Sequence, residues 1–147
     1  MAPEKILTDC LDRLAGTVLI DSYGERALYY NPGRKLKHGV YILTIKEKDG
    51  PNDKSSRLDR EKVYRLNIGI RKSTFLKIFG ALPNRPGKGE TVGMDVDFSL
   101  PDRILPHPVY AWMGWICVLN PSEATFETLK PLITEAYEYA KEKYGKR

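Results

Sequence analysis

Cysteine and histidine are scarce in this chain, two residues of each, and neither type is arranged for chemistry. Cys10 and Cys117 stand far apart with no Cys-x-x-Cys spacing, which reads as two reduced thiols in a reducing compartment rather than a redox pair or a disulfide staple. His107 has no second histidine or cysteine at ligand spacing, so no metal set is assigned. Long apolar runs are missing too. No window approaches the roughly 18 apolar residues of a membrane span, and Met1-Ala2-Pro3-Glu4-Lys5 carries charge where a signal peptide needs an apolar core. A soluble, cytoplasmic protein without membrane contact is expected.

The signature loops of common enzymes are also absent. No Gly-x-Ser-x-Gly elbow is present to expose a serine nucleophile. Pro86-Gly87-Lys88-Gly89-Glu90-Thr91 places a lysine among glycines, but without the Gly-x-x-x-x-Gly-Lys-Ser/Thr spacing or a preceding strand that a phosphate loop requires. Asp95-Val96-Asp97, followed by Asp102, lacks the glycine and terminal glutamate of a calcium loop. No residue is assigned a catalytic role, and no cofactor is implied.

What is there suits one domain over residues 1–147, long enough to bury roughly two thirds of the surface its unfolded form exposes. The net charge is +5, but acidic residues are interspersed along most of the chain, so attraction to polyanions is permitted without being established.

Ile6, Leu7, Cys10, Leu11 and Leu14 recur on one face of a helix over Glu4 to Leu14, with Pro3 suited to its first turn and Gly16 to its stop. Thr17 to Asp21 and Arg26 to Tyr30 are β-prone runs joined by a tight turn around Ser22, Tyr23 and Gly24. Gly39 to Lys46 reads as a strand buried on both faces. Lys48 to Ser56 has no side chain suited to a core and reads as an exposed, mobile loop. Val63 to Ile70 alternates as a half-buried strand, with Tyr64, Leu66, Ile68 and Ile70 inward and Arg65 and Asn67 outward.

Ser73 can cap a short helix over Thr74 to Phe79, closed by Gly80, that offers Phe75, Leu76, Ile78 and Phe79 to the core. Leu82 to Gly93 reads as a surface loop and Met94 to Leu100 as a further short strand. Trp112 to Leu119 is apolar at nearly every position, which predicts a central strand covered on both faces. A long amphipathic helix follows, its start placed at Asn120 or near Thr125, running from Phe126 through Tyr144.

Three groups of residues are candidates for function. His107, stiffened between Pro106 and Pro108, can serve as acid, base or ligand; the plainer account is a side chain that locks its own turn. Tyr110, Trp112, Met113 and Trp115 can line a pocket beside it, against the plainer account of core packing. Arg34, Lys35 and Lys37 with His38, and Arg57, Arg60 and Arg65, can track phosphates if they share a face. Solvated loop charge is the plainer account of them.

The order of elements, Trp115 in the last strand and Ala136-Tyr137 in the terminal helix resemble the MmcQ/YjbR-like proteins. Ser56-Arg57-Leu58-Asp59-Arg60 running into Tyr64-Arg65-Leu66-Asn67-Ile68-Gly69-Ile70, Phe75 to Gly80, and Leu105-Pro106-His107-Pro108-Val109-Tyr110 through Gly114-Trp115 to Val118-Leu119-Asn120-Pro121 resemble more closely an uncharacterised bacterial family of unknown function. The YjbR resemblance implies a two-layer α+β fold, a single twisted antiparallel sheet with helices on one face, as in secretion-chaperone-like proteins, and a DNA-binding label. It implies no catalytic residues. The expectation is a small non-enzymatic binding or interaction domain. Nucleic-acid binding, a small-ligand pocket or enzyme near His107 and Trp115, and a homodimer are the alternatives.

Overall fold

The computed structural model describes residues 1–147. Helix α1 spans Pro3–Arg13, and the strands are β1 Thr17–Ser22, β2 Glu25–Tyr30, β3 Val40–Lys46, β4 Arg65–Gly69, β5 Leu105–Pro106 and β6 Trp115–Leu119. Helix α2 spans Lys72–Phe79 and α3 spans Glu123–Gly145. The six strands form one sheet in the order β1-β2-β3-β4-β6-β5, every adjacent pair antiparallel. This is the expected α+β architecture. No helix is long and apolar enough to cross a membrane.

Alternation along the strands divides the molecule. Leu28, Leu43, Ile45, Leu66, Ile68, Ile116 and Val118 pack with Ile6, Leu7 and Cys10 of α1, Phe75 of α2, and Phe126, Leu129, Ile133, Ala136 and Ala140 of α3. The other face carries Thr44, Asn67 and Cys117 side by side, since Thr44 pairs with Asn67 and Asn67 with Cys117. A register shift between Leu28 and Tyr29 leaves Ile42 unpaired in β3, so Tyr29 stands opposite Tyr41. Tyr23 and Gly24, at φ 51° and 78°, close the β1-β2 hairpin with the left-handed pair a two-residue turn demands.

Several expectations are corrected. The tryptophan-bearing strand begins at Trp115, because Ala111–Met113 is a 3-10 turn and Gly114, at φ 95°, reverses the chain before it. Trp112 and Met113 therefore lie outside the strand. It is also second from the edge rather than central, flanked by β4 and the two-residue β5. Met94 to Leu100 forms no strand, although Phe98 reaches the core from it, and Val92 does so from the preceding stretch that reads as a surface loop.

Ser73 does not cap α2. Arg71 occupies that position, and Glu135 of α3 supplies the acceptors instead, taking hydrogen bonds from the Arg71 N–H at 3.1 Å and the Thr74 hydroxyl at 2.6 Å. Only Phe75 of α2 is buried, while Leu76 and Ile78 are exposed. Helix α3 starts at Glu123, where the Ser122 hydroxyl accepts the Thr125 N–H at 3.1 Å, and it continues through Pro131. The segment after β3 is tethered, not loose: Asp49 accepts the Leu58 N–H at 2.8 Å, and Ser56 and Leu58 are buried. Its reason for folding inward is Arg65.

Candidate functional site

The sheet face opposite the helices is built on a buried charge. Arg65, expected outward, is 0% exposed, and its guanidinium has an acceptor on every nitrogen. Nε donates to Asn67 Oδ1 at 2.7 Å; Nη1 donates to Asp53 Oδ1 at 2.9 Å and Ser56 Oγ at 3.0 Å; Nη2 donates to Asp53 Oδ2 at 2.5 Å. Both ends of the ion pair favour their charged forms. Against the cost of burial, the hydrogen bonds and charge of Arg65 hold the Asp53 carboxyl below its ordinary range, and Asp53 raises Arg65 in turn.

The network runs on across the sheet. Asn67 Nδ2 donates to Thr44 Oγ1 at 3.0 Å and to Glu25 Oε1 at 3.2 Å, and the Thr44 hydroxyl donates to the same Glu25 oxygen at 2.8 Å. Glu25 Oε2 has no partner within the chain. A line of polar contacts thus joins Asp53 in the β3-β4 connection to a half-buried carboxylate at the start of β2.

His107 lies on the other side of Arg65, 3% exposed. Its backbone N–H donates to the Trp115 carbonyl at 3.0 Å, fixing the segment to β6. Ring Nδ1 accepts the backbone N–H groups of Val109 at 3.1 Å and Tyr110 at 3.0 Å, so the proton of the neutral ring sits on Nε2. The group nearest Nε2 is another donor, Arg65 Nη2 at 3.3 Å, and no acceptor within the chain serves that proton. Burial, then the Arg65 charge, hold the imidazole pKa well below 6.5 despite the opposing pull of Asp53. The ring is neutral at pH 7. It locks its own turn, as the plainer account had it, and it also lines a cleft.

That cleft, of about 340 Å³, is bounded by Ser22, Tyr23, Glu25, Tyr41, Thr44, His107, Tyr110, Met113 and Trp115. The rings of Tyr41 and His107 stand nearly perpendicular to the Trp115 indole, at 78° with centroids 6.3 Å apart and at 82° with centroids 6.4 Å apart. Beneath the indole, a Cβ at Gly69 would come within 2.9 Å of Trp115 Cζ2, so the glycine makes room for the ring. Trp115 is therefore a wall of the cleft rather than part of the helix-side core.

Of the residues singled out from sequence, His107, Tyr110, Met113 and Trp115 come together, whereas Trp112 packs beside the core with Arg85 over its ring at 5.0 Å. Arg34, Lys35 and Lys37 are exposed in the connection leading into β3, and Arg57 and Arg60 follow its far end. With Arg65 buried between strands, the basic groups are split along β3. Arg60 is further engaged, donating to the carbonyls of Arg57, Ser56 and Ser99. Cys117 lies in the buried row beside Asn67, its thiol pushed up to about 12 by burial, and Cys10 is raised to about 12 for the same reason, so neither is a nucleophile.

Glu25, Tyr41, Thr44, Asn67 and Asp53 were missed. Only Gly69 gave a sign, being a glycine inside an otherwise apolar strand, which marks a close approach by another group. Neither a curated protein nor a solved structure matches the chain. Across residues 1–147 it fits the sequence pattern of a family of unknown function, DUF6194, and it belongs to that family.

Proposed function

We propose that the protein is a small-molecule-binding domain whose ligand enters between Tyr41, Tyr110 and Trp115 and is held at the floor by Glu25, Thr44 and His107. One observation carries this reading: a buried polar network converges on a walled cleft. Replacing such a network with apolar side chains is commonly neutral or stabilising, so its presence speaks for positioning more than for stability. Glu25 ends this network with a free hydrogen-bonding atom, the acceptor Oε2. The chemistry supports binding without turnover, since no activated nucleophile lines the cleft.

Other observations support the setting. A contiguous core beneath one sheet supports a single domain, and the order of elements supports a place beside the YjbR-like proteins. Two buried free thiols support a reducing compartment such as the cytoplasm.

The test uses fluorescence. In a Trp112→Phe protein the indole of Trp115 is the sole tryptophan reporter. Fragments that bind should change its emission saturably, and Thr44→Val, with its fold checked by circular dichroism, should weaken them. A fragment collection that produces no saturable change in Trp115 emission, or hits that Thr44→Val leaves untouched, would remove the cleft as a binding site.

A further inference from the structure

Resting on that reading, we infer that the ligand is a small organic ammonium, a cation whose charged nitrogen sits against the aromatic walls and opposite Glu25. The protein carries 24 lysines and arginines and a net charge of +5, yet no lysine or arginine lines the cleft, and its one carboxylate is Glu25. Charge of the excess sign is absent from the lining of this cleft, where Tyr41 and His107 stand against Trp115.

The geometry fits that charge. Trp115 with Tyr41 and His107 at near right angles makes a corner, and an ammonium placed in such a corner is drawn by the negative ring faces. Glu25 is anchored through Oε1 by Thr44 and Asn67, which leaves Oε2 without an internal partner. A neutral apolar ligand would strip water from that oxygen and return nothing, and an anion would meet it with repulsion. The volume of about 340 Å³ lies at the low end of small-molecule sites, which suits a free metabolite-sized cation.

The experiment compares choline, its neutral isostere 3,3-dimethyl-1-butanol, and acetate on the Trp112→Phe protein, followed by Trp115 emission. Choline should bind saturably, with the isostere about tenfold or more weaker and acetate not binding, because the attraction is between charge and ring. Glu25→Gln retains an acceptor for Thr44 and Asn67 and should weaken choline about tenfold, as loss of a half-buried opposite charge does. Should that variant unfold, Tyr41→Leu at the exposed rim gives the second reading, and it should weaken choline more than the isostere.

Equal binding of choline and the isostere overturns the cation while the cleft reading stands. Preference for acetate overturns it as well. Failure of choline together with failure of every neutral fragment sinks the cleft reading itself. A peptide bearing trimethyllysine that binds about tenfold tighter than free trimethyllysine would keep the chemistry and overturn the free small molecule.

Discussion

The two faces of the sheet are made from the same strands and obey opposite rules. Toward the helices, every inward position of β4 and β6 is aliphatic, and the contacts are interchangeable ones between side chains of similar size. Away from them, the alternate positions are Arg65, Asn67 and Gly69 in β4 and Trp115, Cys117 and Leu119 in β6, and the fully buried Arg65 and Asn67 are joined by directed hydrogen bonds. A packed aliphatic face tolerates substitution gradually, because each lost methylene removes its own share. A buried charged network fails as a unit, because one missing partner strands the others.

The sharpest way to expose that difference is to compare Arg65→Ala with Leu129→Ala. Arg65→Ala leaves Asp53 without its cation and should cost about 3–5 kcal/mol, at or above the roughly 2–5 kcal/mol of a buried Leu→Ala change. The decisive measurement is repair. Adding Asp53→Ala to Arg65→Ala should recover part of the loss in urea unfolding, since the stranded charge is gone. A double variant no more stable than the single one would mean that Asp53 and Arg65 are independent, and the network would lose its status as a unit.

This contrast also explains what was legible in the sequence. Amphipathic spacing revealed α1, α3 and the inward residues of β4, because apolar burial is written in period. The same alternation assigned Arg65 and Asn67 to the other face correctly, and then mistook that face for solvent. Nothing local distinguishes a solvated arginine from one whose partner, Asp53, arrives from a connection that reads as a mobile loop. In the same way, the 3-10 turn at Ala111–Met113 is hidden in an apolar run, and only Gly114 at φ 95° betrays the break. His107, Tyr110 and Trp115 were found because prolines and aromatics stand out singly; Glu25 and Thr44 were not, because a carboxylate and a hydroxyl at strand positions are ordinary.

A smaller effect separates the faces by pH. His107 is neutral in the fold, with a pKa held well below 6.5 by burial and by Arg65, while Asp53 pulls the other way and Lys46 reinforces Arg65. As pH falls through the ordinary histidine value the unfolded chain takes up a proton that the folded one refuses, so stability falls, with a slope of up to about 1.4 kcal/mol per pH unit. The loss stops once the folded ring also titrates. His107→Asn places an amide oxygen where Nδ1 accepts the Val109 and Tyr110 N–H groups, so it should keep the turn and flatten this limb. A second loss, below 3.8 where Asp53 protonates, should survive the substitution. Identical pH profiles for the two proteins would mean that His107 takes up its proton at the same pH in the folded and the unfolded chain, and that the fold does not hold it neutral.

The smallest effect lies outside both faces. Arg34, Lys35 and Lys37 precede β3 and Arg57 and Arg60 follow it, so the seven residues of that strand hold the groups roughly 20 Å apart. That exceeds the screening length of about 8 Å at physiological salt, so the clusters should neither repel nor assist each other. Neutralising either cluster should shift stability by under about 0.5 kcal/mol, and neutralising both should shift it by the sum to within about 0.5 kcal/mol in chemical unfolding. The same additivity should hold for retention on a heparin column. Coupling beyond that limit would require one polyanion to bridge both ends of β3, crossing the polar face and its cleft, and the two faces would then differ in partner as well as in packing.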